Sequence, residues 1–416
     1  VLQCKTVPEY LYRILKSRKF LIGSNIKESK EKEIEVRPEF FMIDMTNKCN
    51  LRCNYCLRNL EQEENCISTE KLRDIGKFIT TYCDEYKIAN ISVQAWGGEP
   101  LLEKNKIIAL TKFITPQKTK VHYSIETNAT LLTNDVIEEL YKNHIGIGIS
   151  IDGDRKCHDL QRTFVSGKGS YDTVKKNLLQ AQRYYKNKIG TITTITKQTA
   201  VHIEKIIEHL VLDLHISNIK LNFVHASTYT HGQNQCLNTQ EIADTELRIL
   251  YKIIELQERG YDVMEHNIFI KLKNLLFREY ADICLSCGCC GGKKMIVFDM
   301  DGNIYPCELT DDASFVIGSI YKKESLIEQI KMTIDKDKAF FKMKKAVECE
   351  KCYWKFFCRG GCTVRALSEK RQMEVIDIDH IECAINQVLY PALMELVLRK
   401  PHIVNQMLGE DLLVDE

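Results

Sequence analysis

Three cysteines, Cys49, Cys53 and Cys56, stand at Cys-x3-Cys-x2-Cys in the stretch Cys49-Asn50-Leu51-Arg52-Cys53-Asn54-Tyr55-Cys56. Thiolates are the ligands of iron–sulfur clusters, and three on one short loop can hold three irons of a 4Fe–4S cubane. The fourth iron then has no protein ligand from this loop. Like the free position of a catalytic metal, it can chelate a small molecule through amino and carboxylate groups. A zinc knuckle, or thiols buried for packing, are the plainer alternatives. Zinc wants a fourth ligand close by at spacings nearer Cys-x2-Cys, and the next cysteine, Cys66, lies beyond a charged loop.

A denser set follows in the last third of the chain. Cys284, Cys287, Cys289 and Cys290 precede Gly302-x4-Cys307, and Cys349-x2-Cys352-x5-Cys358-x3-Cys362 is followed by Cys383. Cys-x2-Cys pairs also build zinc ribbons, but one zinc takes four thiolates and this region offers many more. Cys4, Cys66, Cys83, Cys157 and Cys236 fit no motif and read as buried structural thiols. The chain has 18 cysteines and opens on no charged-then-apolar signal. In a reducing cytosol such thiols are metal ligands rather than disulfides. The expectation is a cytoplasmic, oxygen-sensitive metalloprotein.

The bulk numbers narrow the partners. A hydrophobic share of 44% with 28% charged residues is that of a globular protein. A net charge of +1 argues for neither a nucleic-acid backbone nor an anionic membrane as partner. No apolar run has the length of a membrane span, and the richest, Val388 to Leu398, is interrupted by Pro391 and Glu395.

Position must come from the elements around the cysteines. Apolar β-branched runs at Phe40–Thr46, Asn90–Trp96, Lys120–Glu126, Ile145–Ile151, Gly190–Ile195 and Ile219–Val224 read as strands. Helical patterns at Thr69–Lys87, Asn105–Ile114, Asn134–Lys142, Thr173–Tyr185 and Ala200–Leu212 alternate with them. Such alternation predicts an α/β fold: a partial (β/α)6 TIM-like barrel, with chemistry at the strands' C-terminal ends. The cysteine loop follows the first strand and falls on that face. Residues 1–38, with Leu11, Ile14 and Leu15 at helical spacing, read as a short helix and linker. The barrel takes 39–235, and connecting helices Gln240–Gln257 and His266–Ala281 fill 236–282. A small cysteine-rich α+β domain over 283–400 closes on a helix at Ile385–Leu398, and 401–416 reads as a tail.

Polar residues punctuate the strand ends. Gly97-Gly98-Glu99-Pro100 follows the second strand, where glycines let backbone approach a ligand and a carboxylate suits an ammonium group. Alone it is equally a tight turn. Thr127-Asn128-Ala129 ends the third strand and Ser150-Ile151-Asp152-Gly153 the fourth, with His158, Asp159 and Arg162 beyond. Such residues are also common as helix caps.

Together these motifs resemble the radical S-adenosylmethionine (SAM) enzymes over residues 40–385. The loop of Cys49, Cys53 and Cys56 is similar to the family's cluster signature, and Gly97, Gly98 and Glu99 to its motif for the SAM amino group. Asn128 and Ser150 are the preferred further SAM contacts, with Asp152 and Arg162 as second choices. Relatives carry glycine where Ala129 stands, a departure that implies a less extreme backbone angle there. The C-terminal layout resembles the SPASM extension, which binds two auxiliary 4Fe–4S clusters. The resemblance implies that Cys349, Cys352, Cys358 and Cys383 hold one of these. The other would take Cys307, Cys362 and Cys289, with a fourth ligand from Cys284, or from Cys287 or Cys290.

The reaction type implied is reductive cleavage of SAM to a 5′-deoxyadenosyl radical, which abstracts hydrogen from an unactivated C–H bond; the protein positions that bond and excludes quenchers. An electron donor such as flavodoxin or ferredoxin is implied. The first expectation is a maturase that modifies a residue of a ribosomal precursor peptide or protein, with the auxiliary clusters taking up an electron. The alternative is an anaerobic sulfatase-maturating enzyme, which makes formylglycine from Cys or Ser. There an Asp after the cysteine of Gly-x4-Cys is the base, and Glu308 occupies that place here; a solvated strand carboxylate is its other reading. A cysteine-rich zinc protein is the alternative of another class.

Overall fold

The computed structural model describes residues 35–58, 63–224, 235–277, 284, 288–310, 313–335, 347–368 and 378–409. The helix expected around Leu11, Ile14 and Leu15 lies outside them.

The barrel strands are β1 (Phe40–Thr46), β3 (Asn90–Gly97), β4 (Lys120–Thr127), β5 (Ile145–Ser150), β7 (Gly190–Ile195) and β8 (Asn218–Phe223), parallel neighbours in that order. A separate antiparallel pair, β2 (Leu51–Cys53) with β6 (Arg162–Phe164), was not foreseen. It arises because the cysteine loop itself is extended and finds its partner beyond the fourth barrel strand. Period-two alternation sets the two faces of β1: Phe41, Ile43 and Met45 are buried in the helix-side core, and Met42 packs on the other face with Met295, Val297 and Cys307.

The crossover helices are α1 (Thr69–Glu85), α2 (Lys104–Phe113), α3 (Asn134–Lys142), α4 (Arg155–Gln161), α5 (Tyr171–Tyr185) and α6 (Ile203–Glu208). The single helix expected over Ala200–Leu212 is broken. Thr196 and Thr199 cap each other around a one-turn helix at Lys197–Ala200, and α6 runs on into a π-helical turn at His209–Asp213. Threonine side chains that bond nearby backbone compete with a continuous helix.

Beyond β8, α7 (Thr239–Glu258), a two-residue strand β9 (Met264–Glu265) and α8 (His266–Phe277) lead into the cysteine-rich region. There β10 (Met295–Phe298) pairs parallel with β1, Phe40 opposite Met295. Next, β11 (Asn303–Tyr305) and β12 (Gly318–Ser319) extend the sheet antiparallel. One sheet of ten strands therefore crosses the compositional boundary near residue 282. The remaining helices used below are α9 (Thr363–Ser368), α10 (His380–Arg399) and α11 (Pro401–Leu408). α10 starts before the expected Ile385 because Asp379 caps it, accepting from Glu382 N at 3.2 Å. It packs on α7. By length and composition it is the one helix among the described residues that could cross a membrane. Residues 401–408, read as tail, form a helix with Pro401 in its first turn and Ile403 and Val404 buried.

Candidate active site

The cysteine loop leaves β1 at Thr46 and is clamped from beneath by the turn after β3. Gly98 N donates to Thr46 O at 2.7 Å, and Glu99 N to Lys48 O at 2.8 Å. A Cβ on Gly98 would stand 2.2 Å from Lys48 O, and one on Gly97 (φ +143°) 2.3 Å from Thr46 O. Both glycines are thus needed for backbone to lie against backbone. Glu99 is fully buried and its carboxylate accepts from Leu101 N (3.0 Å), Thr127 Oγ1 (2.7 Å) and Asn128 N (2.8 Å). A carboxylate has about four acceptor sites, so one remains for a ligand. Burial raises the Glu99 carboxyl above its ordinary range, and the Thr127 and Asn128 hydrogen bonds oppose that.

Asn128 clasps the loop from above. Its Nδ2 donates to Asn50 Oδ1 at 2.9 Å and points at Cys49 Sγ, 3.9 Å away, while Oδ1 accepts from Thr130 N and Thr130 Oγ1. Ser150 is half-buried at the end of β5 on the same rim. Ala129 does not relax the backbone as expected: its φ is +59°, the left-handed value a glycine would take. The turn geometry is imposed by the Thr127 and Asn128 hydrogen bonds around it, whatever side chain stands there.

Asp152 and Arg162 lie deeper than second-choice SAM contacts should. Asp152 is fully buried and accepts from Tyr55 OH at 2.7 Å, Gln161 Nε2 at 3.0 Å and Thr194 N at 3.0 Å. The Arg162 guanidinium donates to the Tyr55 hydroxyl and faces the Cys53 thiol. Tyr55, inside the cysteine motif, thereby ties the loop to β6 and the end of β5. Its place between Cys53 and Cys56 was the available signal. Asn50 is the other brace that the motif contained.

The thiols suit a cluster better than a single ion. Burial pushes the Cys53 thiol up to about 12, with Cys56, Asp152 and Cys49 as further anionic neighbours, so a cation is needed to hold it as thiolate. Cys49 is raised for the same reason and accepts from Leu51 N at 3.4 Å. Amide-to-sulfur bonds of this kind are among the features that tune iron–sulfur clusters. Among the described residues no three His, Cys, Asp or Glu side chains converge as a single metal ion would require.

The C-terminal thiols fall into two neighbourhoods. Cys307 has Cys289 and Cys362 as electrostatic neighbours, and Cys383 has Cys349 and Cys352. Cys352 accepts from Trp354 N at 3.4 Å and Gln387 Nε2 at 3.6 Å. Cys358 has Glu382, Lys271 and Asn386 beside it. Cys284 is exposed, Cys290 is 1% exposed, and Cys287 lies outside the described residues. Cys307 is presented just past the hairpin strand β11, whose turn uses Gly302 at φ +84°. Glu308 is half-buried beside the Cys307 thiol rather than solvated. Of the unassigned cysteines, Cys83 and Cys157 are buried as expected, Cys66 and Cys236 are half-buried, and Cys4 is not described.

The barrel's inner face is polar. Arg58 pairs with Asp44 at 2.7 Å and stacks over Trp96, 4.7 Å from its ring centre. Glu126 opens to solvent from the inner face of β4; the surrounding protein raises its carboxyl, with Lys220 and Gln94 facing it. Gly146 and Gly148 leave the adjacent β5 without side chains there.

An open barrel with a three-thiol loop at its strand ends defines a class of iron–sulfur enzyme. Residues 43–210 match the model of the Radical SAM superfamily. Over those residues the chain carries a radical SAM domain, and enzymes of that superfamily use SAM and a 4Fe–4S cluster. A cysteine-type anaerobic sulfatase-maturating enzyme of Clostridium novyi is 26% identical over 327 residues, 76% of this chain and 85% of that protein. The structure of anSMEcpe with bound AdoMet and Cp18Cys peptide superposes with TM-score 0.73 at 20% identity, covering 86% of this chain and 99% of the other. Streptococcus suis SuiB bound to its precursor peptide SuiA superposes with TM-score 0.61 at 16% identity, covering 90% and 87%.

Proposed function

We propose that this enzyme oxidatively modifies a residue of a ribosomal precursor peptide or protein, and that its C-terminal cysteines hold two auxiliary 4Fe–4S clusters. The observation that carries the reading is the interleaving of the thiols: Cys307 and Cys362 each have Cys289 as an electrostatic neighbour, and Cys383 has Cys349 and Cys352. The resemblance adds Cys358 to the second set and Cys284 to the first. Cys49, Cys53 and Cys56 would hold the SAM-binding cluster. Relatives that act on peptides or sulfatases support the substrate class. A flavodoxin- or ferredoxin-type protein would supply the electron.

Bound together, the cluster and SAM supply the hydrogen-abstracting radical. The chain's own part is positional. Gly97 and Gly98 set the loop's height over β3, Glu99 offers its remaining acceptor site to the SAM ammonium, and Asn128 and Ser150 line the same rim. Arg58, Trp96, Glu126 and Lys220 give the lumen polar groups that orient a peptide and keep the reacting bond in place.

A second reading, formylglycine formation, is favoured by one observation: Glu308, half-buried beside Cys307, holds the place that the sulfatase-maturase pattern gives to its Asp base. Mass spectrometry of the anaerobically reconstituted, reduced enzyme with SAM and a Cys-x-Pro-x-Arg peptide decides between them. Formylglycine with 5′-deoxyadenosine establishes the second reading. 5′-Deoxyadenosine with an unchanged peptide favours a dedicated precursor, and no SAM cleavage at all overturns both.

A further inference from the structure

A buried row of charges joins the two C-terminal thiol neighbourhoods. Lys271 on α8 and Glu382 on α10 form an ion pair with side chains 1% and 3% exposed. Lys271 Nζ also donates to Asn386 Oδ1 at 2.7 Å, and Asn386 Nδ2 to Glu382 Oε1 at 3.1 Å. Asn386 also reaches the Cys358 thiol, with Glu382 and Lys271 beside it. On its other side Glu382 Oε2 lies 3.5 Å from Arg365 of α9, and Arg365 donates to Asp379 Oδ2 at 2.6 Å. Asp379 Oδ2 accepts from Cys362 N at 2.7 Å, and Arg365 faces the Cys362 thiol.

The row thus runs Lys271, Glu382, Arg365, Asp379 from Cys358 to Cys362, cysteines that the proposed function puts in different clusters. Holding α8 to α10 does not require it, since Leu272, Leu275, Leu389 and Leu393 already pack in one apolar core. A buried ion pair is often no more stabilising than apolar residues of like volume. A cluster's reduction potential, however, follows the net charge around it and hydrogen bonds to its sulfurs.

We infer that Lys271 and Glu382, which ligate no iron, set the reduction potential of the auxiliary cluster held by Cys358. The inference rests on the proposed auxiliary clusters. A cation beside a cluster favours its reduced, more negative state, and an anion disfavours it. Lys271→Met should therefore move that potential downward, Glu382→Gln upward, and the double variant back toward the parent value. The second auxiliary potential should move less than the first in each variant.

The test is an EPR-monitored redox titration in a Cys49→Ala/Cys53→Ala/Cys56→Ala background, so that only auxiliary clusters titrate, with iron content measured for each variant. Opposite shifts in the single variants with restoration in the double establish charge tuning. Shifts of one sign, or none, at full iron content overturn it, since a purely structural role gives no sign reversal. Should Lys271→Met lose iron, the direction in Glu382→Gln and the restoration in the double variant still decide. Background protein that binds no iron overturns the auxiliary-cluster reading itself, and this inference with it.

Discussion

The cysteine loop of the barrel gathers its thiols within one short stretch, whereas the C-terminal set is spread from Cys289 to Cys383. The loop is braced by protein on every side: Gly98 and Glu99 below, Asn128 above, and Tyr55 to Asp152 behind. Cys383 belongs to the twenty-residue α10, but Cys349 and Cys358 ride on four-residue helices, Val347–Glu350 and Lys355–Cys358, and Cys307 on the turn after the three-residue strand β11. Elements so short cannot hold their own geometry in water. The difference teaches that one region is braced by protein before any cluster enters, while the other, on the proposed reading, would lean on its clusters.

The largest test of this contrast is Cys53→Ala. 5′-Deoxyadenosine formation should fall to background, while iron drops by only about four atoms per chain, since each cubane has its own ligands. Loss of all iron in that variant would mean that the regions are not independent. Next is anaerobic iron removal with a chelator, followed by hydrogen exchange. Amides of 347–368 should lose most of their protection while β3, β4 and β5 keep theirs; equal loss in both would erase the distinction.

A smaller effect sits at the seam between the regions. Burial, with Glu265 beside it, pushes the Glu246 carboxyl on α7 up to about 8 from an ordinary 4.5. The folded protein then keeps a proton that the unfolded chain has released. Stability is full below about pH 4.5 and is lost as pH rises toward 8, by about 5 kcal/mol at most. Glu265, raised to about 7, acts in the same window. Unfolding midpoints at pH 5 and pH 8.5 should differ, and Glu246→Gln should shrink the difference without abolishing it. An unchanged difference would put the titrating group elsewhere. The smallest expected effect is Ala129→Gly in the braced barrel rim. Relief of φ +59° should stabilise by at most about 1 kcal/mol, the gain being offset by the greater freedom of unfolded glycine. A destabilised variant would show that the Ala129 methyl, which is buried, contributes packing there.

Much of the barrel was legible because each strand is an apolar β-branched run with period two, and each helix shows its own periodicity. Strand ends agree with the sequence reading to within a residue or so at β1, β3, β4, β5, β7 and β8. The broken helix after β7 was not legible, since threonine capping is a choice between two local hydrogen-bond partners. Nor was the pairing of β2 with β6, which depends on where a distant strand comes to lie.

By itself the sequence determined the cysteine loop and its chemistry, because three thiols at that spacing lie near one another in any compact turn. It also determined the parallel order of the barrel and the identity of the rim residues that follow each strand. Only the tertiary structure decided how those residues are used. Glu99, Asn128 and Asp152 spend most of their polar atoms on the protein, and the C-terminal thiols divide into neighbourhoods that chain order does not follow. Hydrogen-bond satisfaction and the grouping of distant thiols are properties of packing, and spacing along the chain carries neither.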